Sequence, residues 1–324
     1  MTEARSKKFF EVLEQDGPLL MDGALGTELQ CRGVPFEETC WGAHAINEHA
    51  DIIRSIHTDY ILAGARIHIV NSFSLARHVL EPVGLGDQFE TLNRRTVELF
   101  KEAVEQTGID RKQVFAAGSL STFAANSDRS ILPDISVLEE NYRNQAQILF
   151  EAGVDLFTLE MLFDVRMTFA MLRAVSSFNL PVIIGFTCEW QVIDGQKVVM
   201  ARSMGGERDS LGNILSSIIS EIKSPDIIFS IMHSDLDVTD AALEVLREVW
   251  TGPIAIYPNS GEFVNLQLQV EGVCSVDAFS QASLRWLSQG VDIVGGCCGI
   301  GPTHISGLNH ALLDKASSSY KTLG

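Results

Sequence analysis

Eight short apolar runs rich in β-branched residues recur along this 324-residue chain and constrain its fold more than any other feature. They lie at residues 19–21, 66–70, 114–117, 156–159, 182–186, 227–231, 254–257 and 293–294. Between most of them the apolar residues repeat at helical spacing, over 50–63, 88–106, 137–152, 165–177, 211–222, 239–250 and 277–288. A strand followed by a helix, repeated at a mean spacing of roughly 39 residues, predicts parallel strands joined by crossover helices. Such units close most economically as a (β/α)8 TIM barrel of the α/β class, which accounts for residues 1–324 as one domain. A doubly wound open sheet is the rival architecture, but the glycine-rich nucleotide turn it needs after the first strand is missing.

Three boundaries carry the same stop signal. Gly64, Gly153 and Gly290 each follow a helical stretch and precede an apolar run, as expected where a helix ends in a left-handed residue. Pro302 suits the first turn of a last helix. The N-terminal stretch, residues 1–17, is polar and expected to be helical, without the features of a secretory signal. No apolar stretch reaches about 18 residues free of charge, so no membrane span is expected and the expected location is cytoplasmic.

Forty-two acidic residues against 24 basic ones give a formal charge of −18. That balance repels phosphate backbones and anionic membrane surfaces, which argues against nucleic acid or membrane as a partner. The expected partners are small molecules, with self-association into a homo-oligomer left open. Six cysteines stand at 31, 40, 188, 274, 297 and 298. Adjacent Cys297 and Cys298 are poorly placed to bridge each other, and a vicinal pair among glycines reads as thiolate chemistry or as buried small residues.

In a barrel of this kind the loops after the strands build the active site, at the C-terminal strand ends. Here they carry Asp22-Gly23, Asn71-Ser72-Phe73, Gly118-Ser119, Glu160, Thr187-Cys188-Glu189, His233-Ser234-Asp235, Tyr257-Pro258-Asn259 and Gly295-Gly296-Cys297-Cys298-Gly299. Carboxylates, an amide and thiols converging on one mouth are costly without ligands to satisfy them. Asp22 and Glu160 suit an ammonium group, and the soft sulfurs of Cys297 and Cys298 suit zinc. Phe73, Phe123, Trp190 and Tyr257 offer faces to a cationic ligand.

The stretches 21–27, 71–73 and 257–262, with Glu160 and the Gly-Gly-Cys-Cys-Gly of 295–299, resemble the homocysteine S-methyltransferase family, over residues 19 to about 310. The resemblance implies Zn2+ held by three cysteines, which binds homocysteine as its thiolate for attack on an activated methyl group and yields methionine. It implies Cys297 and Cys298 as catalytic zinc ligands, and Asp22, Gly23, Asn71, Glu160, Tyr257 and Asn259 as substrate-binding residues. The chain is similar to the short, stand-alone, cobalamin-independent members, for which S-methylmethionine or S-adenosylmethionine is favoured as donor. Donor contacts are expected in the loops 188–208 and 126–134.

The pattern breaks after the sixth strand, where the family's Gly-x-Asn-Cys is replaced by Ser230-Ile231-Met232-His233-Ser234. Three readings follow. His233 ligates zinc as the third, catalytic member of a His-Cys-Cys set; or Cys188, after the fifth strand, swings in instead; or the metal is lost. The last turns the barrel toward another thiol or methylated compound, or toward small-molecule binding alone.

Overall fold

The computed structural model describes residues 2–35, 40, 42–124, 131–202, 209–222, 224–264 and 269–321. Each of the eight apolar runs is a strand: β1 (Leu19–Leu20), β2 (Ile67–Ile69), β3 (Phe115–Ser121), β4 (Leu156–Leu162), β5 (Val182–Phe186), β6 (Ile227–Met232), β7 (Ile254–Tyr257) and β8 (Ile293–Val294). They form one parallel sheet in the order β1-β8-β7-β6-β5-β4-β3-β2. A parallel bridge between Met21 and Ile67 joins its two edges, so the sheet curls into a barrel. The Asp22 N–H donates to the Ile67 carbonyl (2.9 Å) and the Arg66 N–H to the Leu20 carbonyl (2.7 Å) across that seam.

Strands buried on both faces read as continuous apolar runs, because one face packs inside the barrel and the other under helices. Both layers are present. Leu19, Met21, Ile67, Phe115, Leu156, Ile183, Ile228, Ala255 and Ile293 fill the interior, and Phe9 and Leu13 of the helix Thr2–Asp16 join that cluster. The Phe9 and Phe115 rings meet edge to face at 5.1 Å. The expected N-terminal helix is thus part of the barrel core.

The helices Ala50–Leu62, Phe89–Thr107, Ile135–Ala152, Val165–Val175, Leu211–Glu221, Leu236–Val249 and Val276–Ser288 match the predicted stretches to within three residues at either end, and Pro302–Lys321 follows β8. No described helix is long and apolar enough to cross a membrane. Two hairpins interrupt the β/α period and were not expected. Cys188–Ile193 pairs antiparallel with Gln196–Ala201, turning at Asp194 and Gly195, both left-handed (φ +50° and +79°). An Asp-Gly pair is the usual signal for this turn. The second joins Glu262–Val264 to Gln269–Glu271.

Gly64, Gly153 and Gly290 have φ of +102°, +100° and +84°, the left-handed conformation their positions predicted. At Gly153 the N–H closes the helix Ile135–Ala152 by donating to the Leu149 carbonyl (3.0 Å), immediately before β4. A side chain there is strained by about 1–2 kcal/mol. Gly153→Ala is expected to lower the unfolding free energy by about that amount in urea titration, with the denaturant slope unchanged.

Candidate active site

The polar strand ends do meet. A cavity of about 320 Å³ opens at the C-terminal end of the barrel, lined by residues 23–27, Ile69, Val70, Asn71, Phe73, Phe123, Glu160, Met161, Met232, His233, Tyr257, Gly296, Cys297 and Cys298. Its wall divides into a group of three metal-type donors, one carboxylate, and a large apolar and aromatic remainder.

The donors come from β6 and β8. His233 follows β6 with φ +46°, a conformation that costs a non-glycine residue energy and that its neighbours must hold in place. Its N–H donates to the Tyr257 carbonyl (3.1 Å), extending the β6–β7 ladder by one rung. The Cys297 N–H donates to the Pro258 carbonyl (2.8 Å), and the Ser260 N–H to the Cys298 carbonyl (2.9 Å). Loops after three neighbouring strands are therefore laced together. At Gly295 a Cβ would stand 2.6 Å from the Met21 Cβ, and at Gly296 it would stand 2.2 Å from the Ile300 side chain, so only glycine lets this loop pack so closely.

As a result His233 Nδ1 lies 3.4 Å from Cys297 Sγ and 3.7 Å from Cys298 Sγ, and the two sulfurs are 3.9 Å apart. A tetrahedral zinc with Zn–S about 2.3 Å and Zn–N about 2.0–2.1 Å separates its ligands by about 3.8 Å (S to S) and about 3.5 Å (N to S). The observed triangle has those dimensions, so the group fits a metal ion. Cys188 is not among these donors. It is fully buried at the base of the first hairpin, does not line the cavity, and its thiol is pushed up to about 12 by burial.

Among the described residues a second group, Asp22 with His57 and His68, is also close enough to be considered for an ion. Its fit is poorer. Asp22 Oδ2 lies 3.9 Å from His68 Nδ1, whereas N and O donors around a tetrahedral ion stand about 3.4 Å apart. Asp22 itself is buried beside the cavity without lining it, and Oδ2 accepts the Ile69 N–H (3.0 Å). Burial, and then the nearby Glu160 charge, push its pKa well up.

Glu160 lines the cavity directly. The β4–β5 register shifts between Leu159 and Leu162, and Met161 within that bulge is left-handed (φ +57°). A bulge re-aims the side chains beside it, and this one lies at the strand end that carries the carboxylate. Ser119 donates its hydroxyl to Glu160 Oε2. Burial raises the Glu160 pKa, with Ser119 and Tyr257 acting in the opposite direction.

Of the other expected residues, Gly23, Asn71 and Tyr257 line the cavity and Asn259 does not. A Cβ on Gly23 would stand 2.1 Å from the Ile300 carbonyl oxygen, which accounts for that glycine. The Asn71 Nδ2 donates to the Gly42 carbonyl (3.4 Å). Asn259 is buried, with its N–H on the Ser234 carbonyl (2.9 Å). Phe73 and Phe123 stand with ring centroids 5.6 Å apart. Trp190 is elsewhere: its indole N–H donates to Asp237 (2.9 Å) and Lys197 lies over its ring. Of the loops expected to carry donor contacts, residues 126–130 and 203–208 lie outside the described residues. Met161 was missed by sequence reasoning, since nothing local announces the bulge that brings it to the wall.

The sequence profile of the homocysteine S-methyltransferase family matches residues 19–312. The chain belongs to that family. It is 26% identical to maize homocysteine S-methyltransferase 2, over 91% of this chain and 90% of that protein. It is 28% identical to the selenocysteine methyltransferase of Astragalus bisulcatus, over 92% and 93%. Its fold is that of the homocysteine methyltransferase MmuM from Escherichia coli in its metallated form, with a TM-score of 0.76 at 23% identity, covering 94% of this chain and 99% of that one.

Electrostatics bear on how the donor group would take an ion. The Cys298 thiol beside it and then burial push the Cys297 thiol well above the ordinary range, and His233 offsets this only in part. An ion that needs thiolates must displace these protons, so its affinity rises with pH. Zinc affinity measured by chelator competition is expected to rise at least tenfold per pH unit between pH 6 and 8, with proton release visible in buffers of different ionisation heat. A pH-independent affinity would exclude thiolate ligation.

Proposed function

We propose that this enzyme moves a methyl group from a small sulfonium or ammonium donor to homocysteine, giving methionine, with zinc held by His233, Cys297 and Cys298. The observation that carries the reading is the triangle of one imidazole and two thiols on the wall of a mostly apolar cavity that also presents a carboxylate. Held by His233, Cys297 and Cys298, zinc would supply Lewis acidity there, allowing a substrate thiol to exist as thiolate at neutral pH without a strong general base.

The chain's own residues do the rest. Glu160 takes the amino-acid ammonium, and Asp22 is buried beside the cavity with Oδ2 held by the Ile69 N–H. Asn71 and the backbone around Gly23 bound the substrate on the β1 and β2 side. Phe73, Phe123 and Tyr257 present aromatic faces to a cationic donor and keep water from the attacking sulfur. S-methylmethionine and S-adenosylmethionine are the favoured donors. The selenocysteine methyltransferase among the relatives supports selenocysteine as a second acceptor to be tried.

A histidine in place of one cysteine raises the charge of the ion and its ligands by one unit. With zinc bound there, a substrate thiolate would be held more firmly and be less nucleophilic, and transfer would be slower than with three thiolates. His233→Cys is expected to speed methyl transfer severalfold at saturating homocysteine while weakening homocysteine binding, as read by single-turnover and binding measurements.

The decisive assay incubates zinc-loaded protein with homocysteine or selenocysteine and a panel of methylated sulfonium and ammonium compounds, with methylated product detected by mass spectrometry. Methionine is expected from at least one sulfonium donor. Cys297→Ser is expected to lose both zinc and more than 100-fold in rate, and Cys188→Ser to stay within about twofold of the parent. A zinc-loaded protein that methylates neither acceptor with any donor would rule the proposal out.

A further inference from the structure

Glu160 is the carboxylate that lines the cavity, and its surroundings show how it is held. Ser119, fully buried on β3, donates its hydroxyl to Glu160 Oε2. That serine is clamped through its backbone. The Ser119 N–H donates to Ser72 Oγ (2.9 Å), and the Ser72 hydroxyl donates to the Ser119 carbonyl (2.9 Å). Ser72 sits between Asn71 and Phe73, both of which line the cavity. Its own carbonyl accepts from Gln145 Nε2 (2.8 Å), which also donates to Asn93 Oδ1 (3.1 Å). Asn93 Nδ2 in turn donates to the Leu75 carbonyl (3.1 Å) and the Phe89 carbonyl (2.8 Å).

Ser72, Asn93, Ser119 and Gln145 are all fully buried. Buried polar side chains are costly unless they are hydrogen-bonded, and linked chains of them rigidify what they touch; here each side chain bonds to its neighbour in the chain, Gln145 through Nε2. This one ends on a carboxylate facing the cavity. We infer that Ser119 is a positioning residue for Glu160, and that through it the barrel wall selects acceptor thiols carrying an α-ammonium group over thiols without one. The inference rests on the proposed role of Glu160 as the ammonium site.

The physical reason is geometric. A buried carboxylate with one oxygen fixed by a hydroxyl presents the other in a defined direction, so its attraction for an ammonium is not spent on reorienting the side chain. The clamp from Ser72 engages only the backbone of Ser119. Ser119→Ala therefore removes the contact to Glu160 and leaves the clamp in place. Ser119→Cys, nearly isosteric with a weak donor, is the second variant should the first fail to fold.

The test measures, by calorimetry on zinc-loaded protein, the affinity for homocysteine and for 4-mercaptobutanoate, the same chain without its amino group. The parent is expected to favour homocysteine at least tenfold. Ser119→Ala and Ser119→Cys are expected to weaken homocysteine about tenfold, the scale of a hydrogen bond to a charged group, and to leave 4-mercaptobutanoate within twofold. In a Glu160→Gln background Ser119→Ala should add less than twofold, because the two act as one unit. Equal weakening of both thiols, or no change in either, overturns the inference while Glu160 keeps its role. An unchanged homocysteine affinity in Glu160→Gln removes the ammonium role itself, and the inference with it.

Discussion

The site depends on the backbone hydrogen bonds that continue beyond the ends of β6, β7 and β8. Bonds from His233 to Tyr257, Asn259 to Ser234, Cys297 to Pro258 and Ser260 to Cys298 hold three loops in one register. Each is worth about 1 kcal/mol in net stability, but together they leave the loops little freedom to slide. They also hold His233 left-handed, a conformation a non-glycine residue does not keep unaided. The strain has a visible consequence, because Nδ1 faces both sulfurs. Glycines at 295 and 296 permit the close approach of β8 to β1 that brings the sulfurs there.

Around that point the cavity is electrically lopsided. Two carboxylates, Asp22 and Glu160, and two thiols lie near one another; burial pushes Asp22 and Glu160 toward their neutral forms, and the Cys298 thiol and then burial do the same to Cys297. Such a site favours positive charge. An ion at the donor group and an ammonium at Glu160 would each favour the ionised form of its own partner. Facing them, Phe73, Phe123, Met161 and Met232 form a polarizable, apolar wall. That combination suits a reaction in which a cationic donor becomes neutral as the thiolate attacks, since water would stabilise both starting charges.

Much of the fold was legible because its signals are local. An apolar run buried on both faces, a helical repeat and a glycine stop each depend on a few neighbouring residues, and eight repetitions leave few alternative topologies. The hairpin at residues 188–201 escaped because the β/α period hid its Asp-Gly turn. The candidate site was legible as a set of strand ends, since a barrel sends all of them to one face. The choice between His233 and Cys188 was not. Both follow adjacent strands, and only the register of the loops places one nitrogen on the sulfurs and turns the other residue into the wall.

By itself, the sequence determined the parallel barrel, the face on which chemistry is gathered, and the vicinal thiols with their glycines. Tertiary structure alone decided that His233 Nδ1 lies beside both sulfurs, that a bulge after Leu159 accompanies Glu160 into the cavity, that Asp22 turns aside toward Ile69 and His68, and that Trp190 stands apart. The physical reason is range. Strand and helix patterns arise from neighbours along the chain, whereas the direction of a buried side chain depends on ladder register and on contacts between residues tens to hundreds of positions apart.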